Sequence, residues 1–200
     1  MWKELRKNAE AVGAPFAVMV ISGSSANLLA VSAITNKFRT FHCNPGDEVL
    51  VPAVSWSTSV FPLIQLQMKP VFVDTDPETF NVTFESLEAA MTPRVKAVMA
   101  VHVLGNAVCM GDLDRFVKKY NLLLVEDTCE SLGSFFGGAD GSQKMLGTLG
   151  DFGCYSFYFS HHITSGEGGA VVCKTEEDYN FLRCLQGTWM DATPYKPGGG

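Results

Sequence analysis

The sequence predicts an α/β fold, a three-layer α/β/α domain built around a mostly parallel, doubly wound sheet. Short apolar runs rich in Val, Leu and Phe recur along the chain, and longer segments of helical character separate them. This alternation has the spacing of successive βαβ units, which place parallel strands side by side with helices on both faces. The 200 residues, 46% of them hydrophobic, suffice for one domain with its own core.

The predicted strands are nearly continuous apolar runs, as expected where helices cover both faces of a sheet. In chain order they are AVMVI (17–21), EVLV (48–51), PVFV (70–73), KAVMAV (96–101) and LLLVE (122–126). The runs FGCYSFYF (152–159) and GAVVCK (169–174) predict two further strands.

The predicted helices lie between these strands. They are SANLLAVSAITNKF (25–38), STSVFPLIQLQ (57–67), FESLEAAM (84–91), MGDLDRFVKKY (110–120) and a segment from about 175 to 187. A further helix is expected at the start of the chain, leading into the first strand. The closing ATPYKPGGG is expected to form no regular structure, because it is rich in Pro and Gly.

Composition and charge exclude several classes of partner. A net charge of −6 argues against nucleic acid or an anionic membrane as the main partner. No apolar run approaches the roughly 18 residues that span a bilayer, and MWKELRKNAE does not resemble a signal peptide. The six cysteines are scattered without a CxxC pair, which is typical of reduced thiols and indicates a cytoplasmic protein.

Candidate site residues follow the predicted strands, since ligands of open α/β sheets bind beyond the carboxyl ends of the strands. The first stretch is SGSSAN (22–27), between a strand and a helix. Gly23 permits a tight turn there, and the backbone amides with the hydroxyls of Ser24 and Ser25 can hold a phosphate at a helix N-terminus. The alternative is an ordinary serine N-cap.

Two more stretches place chemistry at strand ends. Trp56, in PAVSWST (52–58), can stack on a flat ring, although a tryptophan in such a position is more often part of the core. Asp127, in LLLVEDTCES (122–131), can pair with a buried cation such as a protonated ring nitrogen. Helix capping is the alternative role for Asp127.

A pair of histidines marks the fourth stretch, FYFSHHITSGEGG (157–169), which follows Ser156. Its aromatic start is strand-like, and adjacent side chains on a strand point to opposite faces, so one histidine at most is expected to face a pocket. His42 and His102 have no metal-ligand spacing to a partner and are expected to be structural or solvated.

In this order the four stretches resemble the DegT/DnrJ/EryC1/StrS sugar aminotransferase family of fold type I pyridoxal-phosphate enzymes, from about residue 17 to 185. The resemblance implies that Trp56 stacks on the pyridine ring and that Asp127 pairs with its nitrogen. It places Glu130 near the ring hydroxyl. It assigns the cofactor phosphate to Gly23, Ser24, Ser25 and Ser156.

The chain departs from the family pattern at one position. His161, five residues after Ser156 and six before Glu167, stands where the family has the lysine that bonds covalently to the cofactor. An imidazole forms no stable imine, so the resemblance implies a noncovalently held cofactor with pyridoxamine 5'-phosphate as its resting form. His161 is then expected to act as the general base, and His162 to be structural.

This substitution is typical of the sugar 3-dehydratase branch of the family. The resemblance therefore implies a dehydratase for a nucleotide-linked 4-keto-6-deoxy hexose, with a GDP-linked sugar expected, in deoxysugar and O-antigen biosynthesis. L-Glutamate is the implied amino donor and a homodimer the implied assembly. An ordinary sugar aminotransferase and a non-catalytic remnant that binds cofactor or a partner stay open as alternatives.

Two expectations concern what the chain lacks. Some dehydratases of this branch carry a [2Fe–2S] cluster, for which Cys129 could be a ligand, but the further closely spaced cysteines are missing here, so no metal is expected. Residues 1–200 are expected to be a single cofactor-binding large domain without the family's N-terminal segment and smaller C-terminal domain. Such a truncation would leave the activity of the chain alone uncertain.

Overall fold

The computed structural model describes residues 12–137 and 143–187. Its strands are β1 (Phe16–Val20), β2 (Glu48–Pro52), β3 (Lys69–Val73), β4 (Val95–Val101), β5 (Leu123–Asp127), β6 (Phe135–Gly137), β7 (Gln143–Met145), β8 (Phe152–Ser156) and β9 (Gly169–Cys173). Its helices are α1 (Gly23–Ile34), α2 (Ser57–Gln65), α3 (Phe84–Ala89), α4 (Met110–Tyr120) and α5 (Glu176–Leu185). The predicted opening helix and closing tail lie wholly or almost wholly outside the described residues.

The main sheet has seven strands in the order β1-β9-β8-β5-β4-β2-β3. The contacts among β3, β2, β4, β5 and β8 are parallel, whereas β9 pairs antiparallel with both β8 and β1. The predicted fold class is therefore confirmed. The sequence did not predict the separate hairpin of β6 and β7, whose strands are too short to show a pattern.

Two apolar cores lie on opposite faces of this sheet. Side chains alternate between the faces along each strand, so Val49 and Val51 of β2 belong to one core and Leu50 to the other. The first core is closed by α1, α2 and α5, and the second by α3 and α4. These helices make the outer layers of the three-layer domain.

The strand predicted over 152–159 is too long. β8 ends at Ser156, and residues 157–168 form a loop that leads into β9. Backbone bonds close this loop, since the Phe157 N–H donates to the Gly168 carbonyl at 2.9 Å and the Ser165 N–H to the Phe157 carbonyl at 3.0 Å. The two histidines therefore lie in a turn rather than on a strand.

Candidate active site

A cavity of about 770 Å³ opens where the parallel strands end. The N-terminus of α1 and the ends of β4, β5 and β8 border it, as expected for a ligand site in an open α/β sheet. Seven of the eight predicted site residues line it: Gly23, Ser24, Trp56, Asp127, Glu130, Ser156 and His161. Ser25 is outside this lining, and its backbone N–H donates to the Ser22 hydroxyl at 3.1 Å.

Ser22 caps α1, and Gly23 brings the start of that helix against β8. A Cβ atom on Gly23 would lie 2.6 Å from the Ser156 Cβ and 2.8 Å from the Cys129 Sγ, closer than real atoms approach. Only glycine therefore allows the helix N-terminus to lie beside the Ser156 hydroxyl. Free amides at a helix N-terminus attract anions, so Gly23, Ser24 and Ser156 form a suitable cradle for a phosphate.

Asp127 ends β5 and is 5% exposed. Its Oδ2 accepts hydrogen bonds from Asn27 Nδ2 and from Ser59 Oγ, both at 2.7 Å, and its Oδ1 accepts one from the Cys129 N–H at 3.2 Å. All three donors are neutral, and no basic side chain in residues 12–137 and 143–187 forms an ion pair with this carboxyl group. A cationic group in the cavity would complete the site.

Trp56 lies at the edge of the cavity. It precedes α2 and is 71% exposed, so the interpretation of this tryptophan as a core residue is wrong. Because the side chain is exposed and lines the cavity, its indole face is available for a flat ring.

Glu130 lines a further part of the cavity wall. Its Oε2 accepts from the Leu104 N–H at 2.9 Å. Leu104 has a φ of 54°, in the left-handed region that bulky side chains rarely adopt. Glu130 thereby helps to hold this strained turn at the cavity wall.

His161 is half-buried and lines the cavity, whereas His162 is exposed and outside the lining. The His161 N–H donates to the Tyr158 carbonyl at 3.0 Å, and the two rings lie 6.1 Å apart. The turn, not strand alternation, separates the two side chains. Ordinary structural roles suit the others: His42 Nδ1 lies 3.1 Å from the Arg39 carbonyl, and His102 is fully buried.

Sequence reasoning missed the donors to Asp127. Asn27 stood inside the SGSSAN stretch, and Ser59 lay in the next predicted helix, but neither was assigned a role. A buried polar residue on the apolar face of a helix was the available signal. In the described part of the chain, no group of three or more His, Cys, Asp or Glu side chains could hold a metal ion, and no helix is long and apolar enough to cross a membrane.

Comparison with known proteins covers most of the chain. Residues 5–195 match the DegT/DnrJ/EryC1/StrS aminotransferase family. The lipopolysaccharide biosynthesis protein RfbH of Salmonella typhimurium is 46% identical over 86% of this chain and 38% of its own length. A GDP-4-keto-6-deoxy-D-mannose 3-dehydratase of Escherichia coli O55:H7 is 41% identical over 94% of this chain and 47% of its own.

Solved structures with a similar fold include an enzyme of the same class. The E. coli GDP-4-keto-6-deoxy-D-mannose-3-dehydratase with bound hydrated PLP superposes with a TM-score of 0.84 and 38% identity, over 92% of this chain and 46% of that one. The chain thus spans less than half the length of these relatives. The fold, the order of the motifs and the family match over nearly its whole length show that this chain belongs to the DegT/DnrJ/EryC1/StrS aminotransferase family.

Proposed function

We propose that this chain forms the cofactor-binding part of a nucleotide-sugar 3-dehydratase that uses pyridoxal or pyridoxamine 5'-phosphate. The substrate is a 4-keto-6-deoxy hexose, GDP-linked, and L-glutamate is the amino donor, in deoxysugar and O-antigen biosynthesis. The two relatives described above support this substrate and pathway. The observation that carries the proposal is His161 on the cavity wall, at the position of the family lysine.

The cavity residues fit the cofactor. The phosphate would lie at the α1 N-terminus against Gly23, Ser24 and Ser156, Trp56 would cover the ring, and Asp127 would accept from the protonated ring nitrogen. The buried carboxyl group held only by neutral donors supports this last pairing. When bound, the cofactor supplies a cationic conjugated ring that draws electrons from the bond to be broken.

His161 would then act as the general base. Its imidazole would accept a proton from the carbon that bears the cofactor's amino group, because a neutral imidazole has one ring nitrogen with a free lone pair. Protonated His161 would then return that proton to the hydroxyl group at the sugar 3-position, which would leave as water. The edge-to-face contact of the half-buried His161 ring with Tyr158 would hold the imidazole in place while the neighbouring loop faces solvent.

The aminotransferase alternative has less support. A GDP-perosamine synthase of Caulobacter vibrioides is 35% identical over 92% of this chain, so the scaffold is shared. Transamination in this family needs a lysine at the cofactor, and among the described residues none lines the cavity. Lys174 instead donates to the Leu149 carbonyl, and Lys144 lies in β7.

We further propose that residues 1–200 form a single cofactor-binding large domain and that the active enzyme is a homodimer in the cytoplasm. Exposed apolar side chains on α2 support the second copy, since Phe61 and Ile64 are each 55% exposed. Covering them with another copy would remove apolar surface from water. Scattered cysteines without close pairs support the cytoplasmic location.

The test of function supplies a full-length version of the protein with pyridoxamine phosphate, L-glutamate and GDP-4-keto-6-deoxymannose, and follows the 3-deoxy product by mass spectrometry. We expect product from the wild type, none from His161→Asn, and near-normal product from His162→Asn, the matched control. Pyridoxamine phosphate should still bind to His161→Asn, because the other cofactor contacts remain. Loss of product with His162→Asn and not with His161→Asn would exchange the two roles.

A second variant separates the dehydratase from the aminotransferase. His161→Lys restores the family's amine, so borohydride should fix pyridoxal phosphate covalently to the protein. The wild type should show no such adduct at this position. An adduct on Lys144 or Lys174 of the wild type would instead favour the aminotransferase.

A further inference from the structure

Asp127 is held by two helices that are far from it in sequence. Asn27 of α1 and Ser59 of α2 both donate to the same carboxyl oxygen, Oδ2, at 2.7 Å. Asn27 and Ser59 are fully buried. Two buried polar side chains that converge on one oxygen constitute a built arrangement, because each would cost free energy without a partner.

The orientation of the Asn27 amide is forced, and it leaves a cost. Its Nδ2 donates to Asp127 Oδ2 and also to the Thr58 carbonyl at 3.3 Å, whereas its Oδ1 is buried without a partner. Rotating the amide would point Oδ1 at two acceptors. An apolar residue at this position would avoid the unpaired oxygen, so packing alone does not account for asparagine.

The hydrogen bonds also select one oxygen of Asp127. A carboxylate offers about four acceptor positions, two on each oxygen. Asn27 and Ser59 take both positions of Oδ2, and the Cys129 N–H takes one position of Oδ1. The remaining position is on Oδ1, and Asp127 lines the cavity.

We propose that Asn27 and Ser59 are positioning residues, which fix the carboxylate plane of Asp127 so that Oδ1 accepts the N–H of a cationic ring. The inference rests on the proposed function. Neither donor carries a charge, so together they orient the carboxylate without neutralising it. The negative charge is thereby kept for the protonated ring nitrogen of the cofactor.

Calorimetric titration of the whole chain with pyridoxamine phosphate tests this, with the pH dependence of the ultraviolet band of the bound ring as a second measurement. We expect roughly tenfold weaker binding in Asn27→Leu and in Ser59→Ala, the scale of one lost charge-assisted hydrogen bond. The ultraviolet band reports loss of the proton from the ring nitrogen. In both variants this loss should occur at a lower pH than in the wild type, because a misaligned carboxylate stabilises the protonated ring less. Ser59→Thr keeps the hydroxyl group, so it should retain the wild-type affinity and the wild-type pH dependence of the band.

Ser131 provides the matched control, since it is a fully buried serine whose hydroxyl has no partner and makes no bond to Asp127. Ser131→Ala should bind like the wild type. Wild-type affinity and band position in Asn27→Leu and Ser59→Ala would overturn the positioning role, while weaker binding in Asp127→Asn would leave the proposed function standing. No binding by the wild type, or undiminished binding by Asp127→Asn, would instead overturn both. Should Asn27→Leu fail to fold, the Ser59 pair decides.

Discussion

Two adjacent carboxyl groups at the end of β5, those of Glu126 and Asp127, have different environments. Glu126 is fully buried, and it accepts hydrogen bonds from Gly150 N–H at 2.6 Å, Gly147 N–H at 3.0 Å and His102 Nε2 at 3.1 Å. Asp127 points to the other face, lines the cavity and retains an acceptor position. The fold therefore surrounds Glu126 with hydrogen-bond donors, whereas Asp127 still has an acceptor position at the cavity.

The hydrogen bonds around Glu126 also determine which ring nitrogen of His102 carries the proton. The Val108 backbone N–H lies 3.2 Å from His102 Nδ1 and can only donate, so the ring proton lies on Nε2 and points at Glu126. This arrangement links β4, β5 and the loop before β8 through one side chain. A region closed in this way stabilises the scaffold, whereas the region around Asp127 stays open as part of the cavity wall.

The largest expected effect contrasts activity at the two positions. Asp127→Asn removes the negative charge that lines the cavity, and on the proposed function we expect turnover to fall roughly 100-fold or more. Glu126→Gln keeps a buried polar group away from the cavity and should change turnover only a few-fold. Steady-state product formation with the GDP-linked sugar measures both, and equal losses would erase the distinction between the regions.

Stability should show the reverse order. Glu126→Ala leaves His102 and the amides of Gly147 and Gly150 buried without an acceptor, so we expect a loss of about 3 kcal/mol in the free energy of unfolding. Asp127→Asn should cost about 1 kcal/mol or less, because the amide oxygen can still accept. Urea unfolding of each variant is the measurement; a larger loss in Asp127→Asn would count against the comparison.

Two glycines extend the contrast. Gly147 has a φ of 90°, and a Cβ there would run into the Tyr155 hydroxyl, so Gly147→Ala should destabilise the fold by about 1–3 kcal/mol. Gly23→Ala pushes α1 away from Ser156 and should weaken pyridoxamine phosphate binding more than it lowers stability. Thermal unfolding measures the stability of both variants, and titration measures their affinity for pyridoxamine phosphate. If the two variants lost stability and affinity to the same extent, the assignment of Gly147 to the fold and of Gly23 to the phosphate site would be refuted.

The smallest expected effect uses Cys129 as a reporter. Burial raises the pKa of its thiol well above the ordinary value, and the negative charge of Asp127 raises it further. Removing that charge in Asp127→Asn should lower the pKa, increase the thiolate fraction and speed alkylation a few-fold at pH 8. Peptide mass spectrometry follows the rate, with exposed Cys109 as the internal standard. Glu126→Gln should leave the rate unchanged, and faster labelling there would show that the two charges are not separated.

Much of the molecule is readable from local sequence. Helix α4 was predicted at its observed bounds, and the main-sheet strands within a few residues, because apolar periodicity and turn residues act over short distances. The position of His161 relative to Ser156 and Glu167 is a matter of counting. The stretches that contain Gly23, Trp56 and Asp127 each follow a predicted strand, so their meeting at one edge follows from the parallel sheet.

Tertiary structure alone decided the partners of those motifs. Asn27 and Asp127 are 100 residues apart, and His102 and Glu126 are 24 apart, so no local pattern pairs them. The end of β8 at Ser156 depends on where β9 stops pairing with it, and that register is a contact between strands. Which of two neighbouring carboxyl groups is consumed by the fold and which faces the cavity is decided by donors that only packing brings together.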